Sequence, residues 1–234
     1  AIHAARCTSH DAFRGERMQA MASKNKFTKE EMAAAALRVV RAKGIGCLMA
    51  AMIVILLFLA ASLCFLAYIS PPKDEVKLLH YPQEFFCESA ENRIDYQTDG
   101  KCAAYAAAYL LRYLGEEADG EELFPELKRS FGFVSAHSIT DVFEQHGYRA
   151  TAWHGSVDTL KQRLTEGYPI IVFIRIPGDT HYAVVVGYDE QYIYLADSME
   201  ENANAADTRY NRGLTTETFE DVWWTGTLLP ANIY

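Results

Sequence analysis

Cysteine is scarce in this sequence, and positive charge is scarce in most of it. Five cysteines among 234 residues are too few for a disulfide framework. The net charge is −9, and residues 71–234 carry 27 Asp or Glu against 13 Lys or Arg. This acidic region is a poor candidate for binding nucleic acid. Hydrophobic residues make up 50% of the chain, which excludes a mainly disordered protein.

Charge is missing altogether between Lys43 and Lys73. Within that gap, residues 46–69 form a run of 24 predominantly apolar residues. About 20 such residues suffice for a helix to cross the hydrocarbon core of a bilayer, and a buried core helix is rarely apolar on every face for so long. We therefore predict one transmembrane helix over residues 46–69.

The flanks of this run predict its orientation. Three basic residues precede it closely: Arg38, Arg41 and Lys43. The residues after it, 73–77, are mixed in sign. Because the positive flank stays in the cytoplasm, we expect residues 1–45 to be a cytoplasmic tail and the chain after the span to lie outside, in a single-pass protein of the cell membrane. A cleaved signal peptide is the alternative, but its apolar core is usually only about 7–15 residues long.

The chain beyond the span has the pattern of an α+β domain. Pro71 and Pro72 end the span, since proline cannot continue a helix, and we assign residues 70–89 to a linker and residues 90–234 to a folded domain. Helical patterns come first there and strand patterns later. Helices are predicted over residues 101–115 with Asp99 as N-cap, over 119–129, after Ser138, after Ser156 and after Thr216. Strands are predicted over residues 148–153, 169–174, 181–188 and 192–196.

Cys102 falls in the first turn of the helix predicted over residues 101–115. The positive end of a helix favours the thiolate, which is the nucleophilic form, and its free N–H groups can bind an oxyanion. The alternative is a small buried cysteine on an Ala-rich helix, which is the usual role of a free cysteine. A disulfide with Cys87, the other cysteine of the outer domain, is a further alternative that would block the thiol.

His181 and Asp197 stand at the open end of a predicted hairpin. His181 begins its first strand, Asp197 follows its second, and residues 189–191 form the turn. Residues at the open ends of two antiparallel strands are neighbours, and an acid beside an imidazole fixes its tautomer. A rim histidine and a turn aspartate are the simpler alternatives. With Cys102, these residues make a set of nucleophile, base and orienting acid.

The sequence around these residues resembles the papain-like cysteine peptidases of the bacteriocin-processing type, whose members cut leader peptides after a double glycine. The matching stretches lie within roughly residues 90–225: YQTDGKCAAYAAAYLLRYLG, YPIIVFI, HYAVVVGYDEQYIYLADS and TFEDVW. The resemblance implies a papain-like fold and a peptide or protein substrate, and we expect that no cofactor is needed. It implies Cys102 as nucleophile, His181 as base and Asp197 as orienting acid, and Gln97 as a second oxyanion donor.

The sequence departs from the family pattern close to the cysteine. Lys101 and Ala103 stand where Asp and Gly are usual, and Gln97 lies one residue nearer to Cys102 than usual. We also expect that the transporter that often follows such a domain is absent. We expect a membrane-anchored cysteine peptidase that processes exported peptides. A hydrolase of cell-wall peptide cross-links and a non-catalytic binding domain of the same fold are the alternatives.

A metal site is disfavoured, because the spacings of the candidate ligands fit no zinc pattern. These candidates are His137, His146 and His154.

Overall fold

The computed structural model describes residues 28–69, 71–76, 80–88, 92–130, 132–223 and 232–234. Most of the expected cytoplasmic tail therefore lies outside the described residues, as does the last residue of the helix predicted after Thr216. By its internal contacts the chain divides into two units, Ala1–Leu63 and Cys64–Tyr234.

Helix α1 spans Lys29–Ile69 and contains the whole predicted transmembrane run. A capping box opens it, because Thr28 Oγ1 accepts from Glu31 N at 3.2 Å and Glu31 Oε2 accepts from Thr28 N at 2.9 Å. At about 1.5 Å per residue, 41 residues are about twice as long as a hydrocarbon core of about 30 Å. By length and composition the helix is sufficient to cross a membrane, and its apolar window is not buried within the described chain.

The rest of the chain is built on one antiparallel sheet. Its strands are β1 (Phe85–Phe86), β4 (Ile170–Ile176), β5 (Asp179–Tyr188), β6 (Tyr192–Ala196) and β7 (Arg212–Thr215). The order is β1-β5-β6-β7, and β4 also pairs with residues 179–185 of β5. A separate two-stranded hairpin is formed by β2 (Arg129–Ser130) and β3 (Phe133–Val134). Strand β5 is thus the central element, since three other strands pair with it.

Among the described residues, five helices accompany the sheet: α2 (Cys102–Tyr113), α3 (Gly120–Leu123), α4 (Ala136–Gln145), α5 (Val157–Leu164) and α6 (Thr216–Trp223). Short 3₁₀ turns cover Phe124–Glu126 and Glu200–Asn202. Most helices precede the strands in the chain, so the expected α+β class is confirmed.

Side-chain alternation along β5 divides the core into two clusters. Tyr182, Val184 and Val186 belong to a cluster with the buried side of α2 and with α4. Ala183 and Val185 belong to a second cluster with α5 and α6. Because successive strand side chains point to opposite faces, β5 is covered on both sides. This explains why its sequence is a continuous apolar run rather than an alternating one.

Several predicted element boundaries are wrong. The N-cap of α2 is Lys101 rather than Asp99, since Gly100 adopts φ +57 and leaves Asp99 outside the helix. The N-cap of α4 is Ser135 rather than Ser138, and its hydroxyl accepts from Ser138 N. Ser156 does cap α5, in a capping box with Thr159.

The helix predicted over residues 119–129 and the strand predicted over 148–153 are also wrong. Helix α3 ends at Leu123, and a 3₁₀ turn containing Pro125 replaces its continuation. Within the described range 132–223, residues 148–153 form no strand. Trp153 and Tyr234 exchange backbone hydrogen bonds of 2.7 and 2.9 Å, and Tyr148 N donates to Phe143 O at 2.9 Å. One such exchange does not make a ladder.

Described parts of the expected linker, residues 70–89, pack within the second unit. Asp74 is buried, its backbone N–H donates to His154 O at 2.9 Å, and its carboxylate accepts two hydrogen bonds of 2.9 Å from Arg163. Strand β1 also lies in this stretch. The chain after the apolar helix is therefore attached to the α+β unit soon after Pro71.

Candidate active site

Cys102 is the first residue of α2, and its side chain is half-buried. The preceding Lys101 makes no side-chain capping bond, while its carbonyl accepts from Ala104 N and Tyr105 N at 2.9 and 3.2 Å. The first N–H groups of a helix have no partner within the helix. The cysteine therefore stands at a positive helix end that is suited to a thiolate and to an oxyanion.

The Lys101 ammonium binds Glu121 on α3 and lies 5.6 Å from the centre of the Phe124 ring. Glu121 also accepts hydrogen bonds of 2.9 Å from the hydroxyls of Thr98 and Tyr105. The hydrogen bond from Lys101 and those from the two hydroxyls lower the pKa of the Glu121 carboxyl. One carboxylate thus contacts both sides of the turn that precedes the cysteine.

Helix α3 presents Glu121 from a fixed backbone. Asp119 caps the helix by accepting from Glu121 N at 2.8 Å. Gly120 packs against the ring of Tyr105 so closely that a Cβ would lie 2.4 Å from a ring carbon. Only glycine permits this close approach of α3 to α2. The contact between Gly120 and Tyr105 therefore fixes the position of the four-residue helix against α2.

His181 and Asp197 form a buried pair, with 2.7 Å between His181 Nε2 and Asp197 Oδ1. The side chains are 1% and 0% exposed. The strand register produces this proximity, because Val184 pairs with Ala196. That pairing makes Asp197 a diagonal neighbour of His181 across the two strands. The predicted neighbourhood of the two residues is therefore present in the structure.

The electrostatics of this pair favour an imidazolium beside a carboxylate. Burial opposes protonation of His181, but the hydrogen bonds with Asp197 and Cys102 outweigh it and raise the pKa of His181 to about 9. Burial likewise opposes ionisation of Asp197, yet its contacts with His181, Met199 N–H and Arg212 lower the pKa of this carboxyl. Since Asp197 occupies Nε2, Nδ1 is the ring nitrogen left for the cysteine.

Asp197 has further partners that the sequence reasoning missed. Its Oδ1 accepts from Met199 N at 2.9 Å, and its Oδ2 accepts from Asn202 Nδ2 at 3.2 Å and Arg212 Nη1 at 2.7 Å. Asn211 brackets the Asp197 backbone, accepting from its N–H at 2.9 Å and donating to its carbonyl at 2.8 Å. Arg212 opens β7, a four-residue strand without a clear strand pattern, so the sequence carried little signal for these contacts.

Gln97 lies in the segment before the cysteine, and its backbone N–H donates to Ser198 O at 2.8 Å. This bond joins the segment to the residue that follows Asp197. Among the described residues, Gln97 Oε1 is buried without a hydrogen-bond partner, but an oxyanion would be bound by the amide N–H groups and not by this oxygen. Its assignment as an oxyanion donor stays a prediction.

The other cysteine and histidine candidates have different environments. Cys87 is buried and carries a free thiol, as does Cys102, so the structure does not contain the disulfide considered between them. Burial raises the pKa of the Cys87 thiol to about 12. His146 Nδ1 contacts Glu116 at 2.9 Å, and His154 Nδ1 contacts Pro71 O at 2.7 Å.

The sequence matches the family model described as the Peptidase C39 like family over residues 83–226. This match covers more than half of the chain and confirms the resemblance drawn from the motifs. No curated protein matches the sequence.

Solved structures with a similar fold include peptidase domains. The peptidase domain of Streptococcus ComA, a bifunctional ABC transporter involved in a quorum-sensing pathway, is 20% identical with a TM-score of 0.49, covering 58% of this chain and 94% of that one. A double-glycine motif protease from an AMS/PCAT transporter, solved with a leader peptide, is 17% identical with a TM-score of 0.44, covering 57% and 89%. A C39-like peptidase from Bacillus anthracis is 17% identical with a TM-score of 0.42, covering 62% and 90%.

Proposed function

The chain belongs to the peptidase C39-like family, and from this premise we propose that it is a cysteine peptidase with Cys102 as nucleophile, His181 as base and Asp197 as orienting acid. The observation that carries the proposal is the buried His181–Asp197 pair, which lies in contact with a cysteine at a helix N-terminus. A structural role alone does not require a buried ion pair next to a thiol, because such a pair costs desolvation energy that apolar packing would avoid.

The chemistry follows from this arrangement. The Cys102 thiolate attacks the carbonyl carbon of a peptide bond, and the carbonyl oxygen becomes an oxyanion. The Cys102 backbone N–H and the Gln97 amide would stabilise that charge. The C–N bond then breaks, the His181 imidazolium gives its proton to the leaving amine, and a thioester remains. Water, deprotonated by His181, attacks the thioester, and the thiolate leaves as the acid product is released.

Membrane anchoring is part of the proposal. Residues 46–69 of α1 would span the bilayer, with residues 1–45 in the cytoplasm and residues 90–234 as the peptidase domain outside. Residues 70–89 would join the two, and their strand β1 pairs with the sheet of that domain. The length of α1 and the basic flank before the apolar run support this arrangement. The substrates would then be exported peptides. Protease added to intact cells should degrade the α+β domain, and protection of that domain would overturn the orientation.

A comparison of protein N-termini tests the activity. Cells that make the parent protein should contain N-termini that disappear in cells that make Cys102→Ala. Cys87→Ala is the matched control, since it removes the other thiol of the outer domain. Cys87 is buried, and among the described residues it is not one of the partners of His181. Cys87→Ala should preserve the same N-termini. Identical N-terminal sets in parent and Cys102→Ala cells would contradict the proposed peptidase activity.

A further inference from the structure

Arg212 lies against the acid of the proposed triad on the side away from the histidine. Its Nη1 donates to Asp197 Oδ2 at 2.7 Å, whereas His181 binds the other oxygen, Oδ1. The side chain of Arg212 is only 12% exposed and that of Asp197 is not exposed. A single buried carboxylate therefore lies between a guanidinium and an imidazole, and the two basic groups compete for its negative charge.

The position of Arg212 is fixed by strand pairing. Arg212 is the first residue of β7 and pairs with Leu195 of β6, two residues before Asp197. Its neighbour Asn211 holds both backbone groups of Asp197 and donates its own N–H to Leu195 O at 3.1 Å. Arg212 thus approaches the carboxylate from an ordered element rather than from a mobile loop. The guanidinium of Arg212 is therefore held beside the Asp197 carboxylate.

Few other charges face the histidine–aspartate pair. The charged or titratable side chains found against it in the described residues are Cys102 from α2 and Arg212 from β7. The remaining partners of Asp197, Met199 N–H and the Asn202 amide, are neutral. Tyr182 lies near Cys102, and burial raises the pKa of its phenol, so it is neutral as well. Arg212 is therefore the one permanent positive charge among these neighbours.

We propose that Arg212 is a positioning residue of the site, which keeps Asp197 ionised and limits how tightly this carboxylate holds the proton of His181. The inference rests on the proposed role of His181 as acid and base. Without Arg212 the whole negative charge of Asp197 would face the imidazolium, and a stronger anionic neighbour stabilises the protonated ring. A ring that holds its proton too tightly is a poorer donor to the leaving amine.

The titration of His181 tests this inference without any substrate. The 234-residue chain, solubilised in detergent and labelled at the imidazole carbons, contains seven histidines, and His181→Gln assigns the signal of interest. In Arg212→Met, the NMR titration midpoint of His181 should rise by about one pH unit, the order of shift that the loss of one nearby charge produces. Arg212→Lys restores the charge, and its midpoint should return towards that of the parent.

Two further variants complete the design. Arg209→Met removes the same charge from an exposed arginine that pairs with Asp207, and it should leave the His181 midpoint unchanged. If Arg212→Met does not fold, Arg212→Gln keeps a hydrogen-bond donor without the charge, and it should give the same upward shift. An unchanged or lowered midpoint in a folded Arg212→Met or Arg212→Gln protein would overturn the inference.

The outcome is separable from that of the proposed function. A shifted His181 midpoint together with unchanged cellular N-termini in Cys102→Ala would support the charge coupling and contradict the peptidase. N-termini that depend on Cys102, with a His181 midpoint insensitive to Arg212, would support the peptidase and contradict the coupling. If both hold, Arg212→Met should also lower kcat with little change in KM, since Arg212 acts through Asp197 and not on the substrate.

Discussion

The two halves of the candidate site are built in different ways. His181 and Asp197 are at most 1% exposed, and their positions follow from the pairing of β5 with β6. Cys102 and Gln97 are half-buried, and they lie at a helix start and in the irregular segment before it. We refer to these as the strand half and the loop half of the site.

The surrounding contacts differ in the same sense. In the strand half, Asp197 receives hydrogen bonds from four groups and Asn211 holds its backbone. In the loop half, the ties to Glu121 lie near the surface, and the Glu121 side chain is 43% exposed. Buried charge pairs are sensitive to the loss of one partner, whereas exposed ones contribute little. The contacts that support the strand half should therefore tolerate substitution poorly, and those that support the loop half should be adjustable.

The largest effect is expected from Asp197→Asn in the strand half. The substitution removes the negative charge that supports the imidazolium, so the pKa of His181 should fall from about 9. As the pH is raised, the imidazolium is then lost earlier, and turnover should begin to decline at a lower pH than in the parent. In serine-type triads the matching loss of turnover is about 10⁴. A thiolate–imidazolium pair depends less on the acid, so we expect roughly 10³ or less here. The measurement is turnover against pH.

The hairpin offers a matched control for this change. Asp189 lies at the turn end of the same two strands, and its Oδ1 accepts from Gln191 N and Tyr192 N at 2.7 Å. Asn keeps an acceptor at that position, so Asp189→Asn should retain both fold and turnover. Equal activity in Asp197→Asn and Asp189→Asn would mean that the strand half does not support the chemistry.

The second prediction separates the two halves through Gln97. Removing one oxyanion donor typically costs roughly 10²–10³ in turnover, and Gln97→Ala should lie in this range. Alkylation of Cys102 by iodoacetamide forms no oxyanion and depends on the thiolate, so its rate should be nearly that of the parent. In contrast, His181→Ala should slow alkylation. Parent-like turnover in Gln97→Ala would assign the oxyanion role to another group.

The sequence predicts the strand half well because its geometry is local. The strand over residues 192–196 is found with the predicted bounds, and β5 begins two residues before the predicted strand. A hairpin with a short turn brings residues 16 positions apart together whatever the rest of the chain does. The predicted proximity of His181 and Asp197 needed only this local pairing.

The contacts that the sequence does not predict are those that depend on pairing between residues far apart in the chain. Strand β7 and its Arg212 reach Asp197 only because β7 pairs with β6 across a loop of irregular structure. The N-cap of α2 is Lys101 and not the predicted Asp99, because a turn with positive φ at Gly100 precedes the helix. Lys101 is itself a departure from the family pattern. Its partner Glu121 lies on a helix whose position depends on the packing of Gly120 against Tyr105.

The smallest effect is expected from Glu121→Gln, which tests how adjustable the loop half is. Gln keeps an acceptor for the hydroxyls of Thr98 and Tyr105 but loses the ion pair with Lys101. Because exposed ion pairs contribute little, turnover should fall only roughly twofold to fivefold, with unchanged alkylation of Cys102 and nearly unchanged melting temperature. Lys101→Met should act alike.

The double variant Lys101→Met, Glu121→Gln gives the sharper reading. If the two side chains act on the loop through one bond, the double variant should be no slower than either single one, because a shared interaction is lost only once. Glu122→Gln changes the neighbouring exposed acid of the same short helix and controls for the loss of charge. A loss of a hundredfold or more in Glu121→Gln would erase the contrast drawn between the halves, since the contacts that support the loop half would then be as intolerant as Asp197. Additive losses in the double variant would mean that Lys101 and Glu121 act on the cysteine separately, through contacts other than the one they share.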